Sequence, residues 1–282
     1  ENLFSDYLEC VGFHAEPILC ARPSNHPGEA ELDSCISDVV NTREADCDFS
    51  TTDYIRHTIW HVNPELDPAL TNALAPLDKL YLADGHHRLA SSIKLRHRHP
   101  NEPGVDRILA MILPAKEMSI LGYHRQIKSF AGNIEELIGK INGLESVRQV
   151  EEISKEELRV QKQGCIDLLN DGKSYRIFID EEESGLRTDA GWLSENILQN
   201  LLEISDPRND PKLKYIPGSS DAALTESSKE KIIFALHPTP IDQIIAVSDA
   251  GETLPPKSTW VEPKLRSGLF IYEFGMHPHP TK

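Results

Sequence analysis

The run Asp84-Gly85-His86-His87-Arg88, set inside KLYLADGHHRLASSIKL, constrains this chain more than any other stretch. Leu80 and Leu82 flank Tyr81 in a strand-like pattern that ends at an acid and a glycine, after which two imidazoles and a guanidinium open a helical pattern. A strand, a glycine turn and a helix N-terminus in that order aim backbone N–H groups and the positive end of a helix dipole at one point, which is the geometry of an anion site. Arg88 adds a planar fork that matches phosphate or carboxylate oxygens. Asp84, at the strand's end, is placed to hold a divalent cation or to accept a proton. Cations are disfavoured at a helix N-terminus, so a basic cluster there calls for an anion to balance it. The plainer alternative is a solvated Asp-Gly turn, a common turn dipeptide.

Charge narrows which anion this is. Forty-five Asp and Glu against 29 Lys and Arg leave a net charge of −16, the wrong sign for a surface that tracks a nucleic-acid backbone. Any basic pocket has to be built locally, and a small molecule is the expected partner. The 282 residues suit one large or two smaller domains. Cys10, Cys20, Cys35, Cys47 and Cys165 form no CxxC pair and match no common zinc spacing, so they read as buried free thiols. An odd cysteine count, no apolar run of membrane-spanning length and no signal peptide place the chain in the cytoplasm, away from membranes. The abrupt start ENLFSDYL, with no initiator Met, reads as entry part-way into a longer protein.

Strands are expected within GFHAEPILCARPS, RHTIWHV (56–62), 79–83, KIIFALH and LFIYEF (269–274), and helices in GEAELDSCISDVV, DPALTNALAP and from the DGHHR turn to about His97. RILAMILPAKEMSILGYHRQI (107–127) reads as two strands about a tight turn at Pro114-Ala115-Lys116, with Tyr123 and Arg125 sharing one face of the second. NIEELIGKING is a helix capped by Asn133, SKEELRVQKQ a further helix, and CIDLLNDGKSYRIFID a hairpin turned by Asn-Asp-Gly. LSENILQNLLEI is a helix capped by Ser194, and TPIDQIIAVSDAG a helix with Thr239 as cap, Pro240 at its first position and Gly251 past its end. The class is α+β with a mixed sheet.

A second basic feature lies near the C-terminus. Pro255-Pro256 and Glu262-Pro263 stiffen the loop of ETLPPKSTWVEPKLRSGLFIYEF, along which Lys257, Lys264 and Arg266 sit among hydroxyls and one acid. An extended, rigid, basic path of this kind suits a second wall for an anion site; the alternative is a loop whose bases pair with the acidic surface. His57 reads as a structural strand histidine and Asp206-Pro207-Arg208-Asn209-Asp210 as a structural turn. His97, His99, His277 and His279 give no HExxH or other zinc spacing, and GxGxxG, GxxxxGK[ST] and GxSxG are all absent.

YLADGHHRLASS, ILAMILPAKEMSILGYHRQI, SDPRND and HPTPIDQIIAVSDAGETLPPKSTWVEPKLRSGLF together resemble domain-of-unknown-function family 1015 across most of residues 50–275. Relative to that family the chain lacks an N-terminal segment and carries His124 where Tyr-Asn-Arg is usual. The family is distantly similar to the ParB/sulfiredoxin superfamily, whose members include DNA-partition CTPases, sulfiredoxin and free-serine kinases with a DGH-x-R turn. The resemblance implies a ParB/sulfiredoxin-like core over residues 1–130, with an additional C-terminal α/β region over 131–282 packed on that core. It also implies a nucleotide-binding phosphotransferase acting on serine or a similar hydroxy amino acid, with ATP or ADP and Mg²⁺. Asp84 would then contact metal or substrate, and His86 and Arg88 phosphate. Around them, His87 joins the catalytic candidates, and Gly85, Arg125, Lys257, Lys264 and Arg266 the nucleotide- and phosphate-binding set. The kinases' catalytic Glu precedes the turn; here that segment offers Arg56, His57 and Glu65, or the residue lies ahead of Glu1. The alternative function is a nucleotide- or phosphometabolite-binding regulatory protein without turnover.

Overall fold

The computed structural model describes residues 2–24, 26–158, 162–180, 186–218, 228–262 and 264–275. The chain forms two compact units, Glu1–Glu117 with Leu265–Lys282, and Met118–Lys264.

The first unit opens with α1 (Asn2–Val11), β1 (Phe13–His14) and β2 (Ile18–Arg22), then α2 (Glu29–Thr42), β3 (Cys47–Ser50), β4 (Arg56–Ile59) and α3 (Asp67–Leu74). β5 (Tyr81–Asp84), α4 (His86–Arg98) and β6 (Ala110–Pro114) follow. β2 lies at the centre of a three-stranded sheet, antiparallel to β5 and parallel to β6. Its run Ile-Leu-Cys-Ala-Arg is buried at every position, as a strand covered on both faces requires. Leu8 of α1, Leu95 of α4, Val105 and Phe274 form one apolar cluster. α1 had no counterpart in the sequence reading; its apolar positions lie against α4, not in a periodic stripe long enough to stand out. LFIYEF yields only the short strand Tyr272–Glu273, which pairs antiparallel with β1. Gly268 N–H donates to Ala15 O at 2.6 Å and Phe274 N–H to Gly12 O at 3.0 Å, so the last described segment is tied back onto the start of the chain.

The second unit holds β7 (Ser119–Ile127), α5 (Ile134–Asn142), β8 (Val147–Ile153), β9 (Cys165–Asn170) and β10 (Lys173–Ile179). It continues with α6 (Asp189–Trp192), β11 (Leu213–Pro217), β12 (Ile232–Leu236), α7 (Ile241–Asp249) and β13 (Thr259–Glu262). Among the described residues seven strands form one sheet in the order β11-β7-β12-β9-β10-β8, with β13 pairing the first half of β7. Its core packs Trp192, Leu193, Ile197 and Leu198 against Ile166, Leu168, Ile177 and Phe234. The fold is α+β with mixed helices and sheets.

Several expectations hold in detail. Asn133 caps α5, its side chain accepting from Glu135 N–H at 2.8 Å. The β9–β10 hairpin turns through Asp171 (φ 47°) and Gly172 (φ 81°), the two positive values a tight type I′ connection needs. Others are corrected. The helix placed at Ser194 begins earlier: Thr188 caps α6 by accepting from Gly191 N–H at 3.0 Å, and residues Leu193–Gln199 continue it as a π-helix. Ser194 instead donates its hydroxyl to Ala190 O at 2.7 Å. Pro240, in extended conformation (ψ 145°), takes the cap position of α7 in place of Thr239. SKEELRVQKQ gives only a 3-10 turn at Lys155–Glu157, residues 159–161 lying outside those described. The two strands read in 107–127 exist, but β6 belongs to the first unit's sheet and β7 to the second, joined by a 3-10 turn at Ala115–Glu117. All five cysteines are free; Cys20 and Cys165 are buried, whereas Cys10 and Cys47 are exposed, against the expectation of burial. No helix among the described residues is long and apolar enough to cross a membrane.

Candidate functional site

The DGHHR turn sits where the strand-turn-helix reading put it. Asp84 closes β5 opposite Leu19 of β2, Gly85 bends the chain at φ 95°, and His86 starts α4. The position admits a side chain only at a cost to its neighbours: a Cβ there would stand 2.9 Å from Arg88 Nη2 and 3.0 Å from Ile18 Cγ2. Gly85 N–H donates to Asp84 Oδ1 at 3.0 Å, which orients the carboxylate along the turn. No side chain caps α4, so its first-turn amides keep their polarity toward the open end of the helix. His86 and His87 are exposed beside it.

Arg88 is the centre of this arrangement. Its Nη1 donates to Glu16 Oε1 at 2.6 Å, from the turn between β1 and β2. Its Nε and Nη2 are buried and find no hydrogen-bond partner among the described residues. Two donors of a cationic fork left unsatisfied are expensive, and an anion with two oxygens is the group that satisfies them together. Behind the fork, α4 is pinned to the sheet by a relay. Leu109 N–H approaches His14 Nδ1 at 3.4 Å, His14 Nε2 lies 3.2 Å from Ser92 Oγ, and Ser92 Oγ donates to Arg88 O at 2.9 Å. The relay is consistent with a neutral His14 protonated on Nε2, and burial lowers this imidazole's pKa from its ordinary value.

Glu16 is the acid that sequence reasoning missed; 72 residues separate it from Arg88 and no local motif marks it. Of the segment ahead of the turn, Glu65 falls in the 3-10 turn Pro64–Leu66, Arg56 pairs with Asp48 at 2.5 Å, and His57 stacks on Phe49 with ring centres 5.2 Å apart. Among the described residues no three His, Cys, Asp or Glu side chains gather as a metal cage. Asp84, at the end of β5, is the carboxylate within the turn itself.

The remaining candidates divide between the units. Arg266 lies in the first, ion-paired to Asp53 on the β3–β4 loop. Arg125, Lys257 and Lys264 lie in the second, around an aromatic group. Tyr123 meets Trp260 and Tyr215 edge-on, with ring centres 5.5 and 6.3 Å apart. Lys264 Nζ stands 4.5 Å over Trp260 and Lys257 Nζ 5.7 Å over Tyr123. Arg125 is wholly buried. His124 accepts from Leu236 N–H at 3.1 Å through Nδ1, which ties β7 to β12. Asp206 holds its own turn, accepting from Arg208 N–H and from the Asn209 amide. His277 and His279 lie outside the described residues.

Residues 1–203 match the family described as Protein of unknown function (DUF1015). The chain belongs to this family. An ATP-dependent L-serine kinase of Staphylothermus marinus is 25% identical to this DUF1015 member over 198 residues, 68% of this chain and 70% of the relative. Among solved structures, a free serine kinase in complex with AMP is similar over 97% of this chain and 83% of its own, at 16% identity and a TM-score of 0.44. A conserved hypothetical protein from Pyrococcus furiosus is similar over 91% of this chain and 92% of its own, at 14% identity and a TM-score of 0.40.

Proposed function

We propose that this chain binds an adenine nucleotide and transfers its terminal phosphoryl group to a small hydroxy amino acid such as serine. The observation that carries the reading is the Arg88 fork, with Nε and Nη2 buried and unsatisfied at the uncapped N-terminus of α4. A phosphate there receives two N–H donors, the amides of the helix end and the charge of His86 when protonated. The sequence relationship to an ATP-dependent L-serine kinase supports the nucleotide and the acceptor class.

Phosphoryl transfer asks mostly for positioning and charge neutralisation. In this reading Gly85 gives the backbone its close approach, Arg88 and His86 neutralise the phosphoryl oxygens, and Glu16 orients the Arg88 fork from behind. His87, exposed next to His86, is within the turn's reach of an entering acceptor. Asp84 faces the cation that accompanies a nucleotide; Mg²⁺ supplies charge neutralisation when bound. Arg266, in the same unit, is a further anion contact in the proposal, and Lys257 and Lys264 are anion contacts of the second unit by itself.

Arg88→Ala in the full chain is expected to abolish ADP binding in titration calorimetry while leaving the far-ultraviolet circular dichroism unchanged. Unaltered affinity would sink the phosphate assignment. The second reading, a nucleotide- or phosphometabolite-binding regulator without turnover, is favoured by one observation: Glu16, the acid that reaches the turn from the β1–β2 connection, is already engaged by Arg88 at 2.6 Å. Incubation with ATP, Mg²⁺ and L-serine separates the two, since only the kinase yields O-phosphoserine by mass spectrometry.

A further inference from the structure

Lys257 adopts a left-handed backbone, φ 56°, in the exposed loop between the paired prolines and β13. Lysine rarely takes that conformation, and it persists only where the surroundings over-determine it. Two contacts do so. Ser258 Oγ donates to Pro255 O at 2.7 Å and closes the turn. Arg125 Nη2 donates to Pro256 O at 3.3 Å from inside the unit. Arg125 Nη1 also donates to Tyr123 O, two residues back on the same strand, and the guanidinium lies 5.1 Å from the centre of the Tyr215 ring. The Tyr123 ring in turn carries Lys257 Nζ at 5.7 Å. Arg125 therefore touches both ends of the lysine's support, the peptide before it and the residue its side chain rests on.

That arrangement is costly. Arg125 is wholly buried, its Nε has no acceptor among the described residues, and it meets carbonyls and a ring where buried cations usually meet a carboxylate. Burial draws its pKa down to about 10, so it still carries its proton at neutral pH. A buried cation on β7 supports the strained backbone of one short loop, and what the loop presents to solvent is the Lys257 ammonium. Arg125 itself is too deep to meet a ligand.

We propose that Arg125 is a positioning residue: through Pro256 O and the Tyr123 strand it holds Lys257 as a preset cation on the second unit for the phosphate or carboxylate of a small molecule. This rests on the phosphotransferase reading above only for the class of ligand, and it concerns the second unit by itself. The strained lysine is the contact, and the buried arginine is what keeps it in place.

The test uses the full chain with Lys257→Gly, Arg125→Lys and the double variant, read by thermal melting without ligand and by calorimetry with ADP and with O-phospho-L-serine. Lys257→Gly is expected to raise the melting temperature by about 1–3 °C, since glycine takes the left-handed backbone without Cβ strain. It is also expected to weaken one or both probes about tenfold. Arg125→Lys, whose single ammonium cannot bridge both carbonyls, is expected to weaken the same probe comparably while the lysine is present. In the Lys257→Gly background it is expected to add nothing, which a merely structural role would not produce. A lowered melting temperature for Lys257→Gly, additive losses, or wild-type affinity in Lys257→Gly overturns this proposal alone. Wild-type chain that binds neither probe overturns the phosphotransferase reading and this proposal's ligand with it.

Discussion

Gly85→Ala separates what the turn costs from what it does. At φ 95° an L-residue is strained, by about 1–2 kcal/mol for the left-handed region. The new Cβ also lands 2.9 Å from Arg88 Nη2, 3.0 Å from Arg88 Nε and 3.0 Å from Ile18 Cγ2. The arginine's end is flexible and moves aside; Ile18 is only 4% exposed on the central strand and does not, which adds about 1 kcal/mol of overpacking. The sum is about 2–3 kcal/mol, or roughly 5–10 °C in melting temperature. Gly172→Ala is the control, because Gly172 (φ 81°) has nothing within 4 Å of its Cβ position and bears the backbone term alone. Urea and thermal melts should place Gly85→Ala below Gly172→Ala by about 1 kcal/mol. Calorimetry should show ADP binding lost only in Gly85→Ala, where the displaced fork leaves Glu16. Equal melts, or unchanged ADP affinity in Gly85→Ala, would refute the argument that this glycine exists to let Arg88 fold back over the turn.

Two further outcomes concern pH. His14 has its folded pKa depressed below 6.5 by burial, so the unfolded chain binds the proton first and stability falls as pH drops below about 6.5; a His14→Gln variant should lose that slope in urea melts. Asp189 runs the other way: burial raises its pKa to about 6, against the lowering effect of Gly164 N–H, so the folded state binds more protons between 3.8 and 6 and this carboxyl adds stability as pH falls through that window. Asp189→Asn, which removes an ionised buried carboxylate costing about 3 kcal/mol, should melt higher than the parent at pH 7 and lose the advantage near pH 4.

Legibility in the sequence followed the range of the interactions. Asn133, the Asn170-Asp171-Gly172 hairpin and the DGHHR turn are decided within a few residues, and they stand as read. Thr188 displaced Ser194 as a cap because Trp192 and Leu193 are core residues that must already be helical, a demand set by Ile166 and Phe234 across the sheet. The strand Val147–Ile153 escaped notice because its alternation Val-Arg-Gln-Val-Glu-Glu-Ile is broken, and its partner β10 supplies the order. At the site the pattern holds again. Arg88 was visible in its motif, but its acid partner lies 72 residues away. Arg125 looked like a basic residue on a strand face; only the sheet shows that β11 and β12 flank it on both sides and bury it.

The pairing of β1 with Tyr272–Glu273 gives this chain an order of assembly. A ribosome releases β1, β2 and the DGHHR turn early, yet the strand that completes β1 and the Phe274 side chain that joins Leu8 and Leu95 emerge only after the whole of Met118–Lys264. Domains tend to fold as they are made, so the second unit has its full sequence in hand while the first still waits for its closing piece. The DGHHR turn is thus written before the second unit, while the sheet and core that complete its own unit close only once Phe274 has emerged.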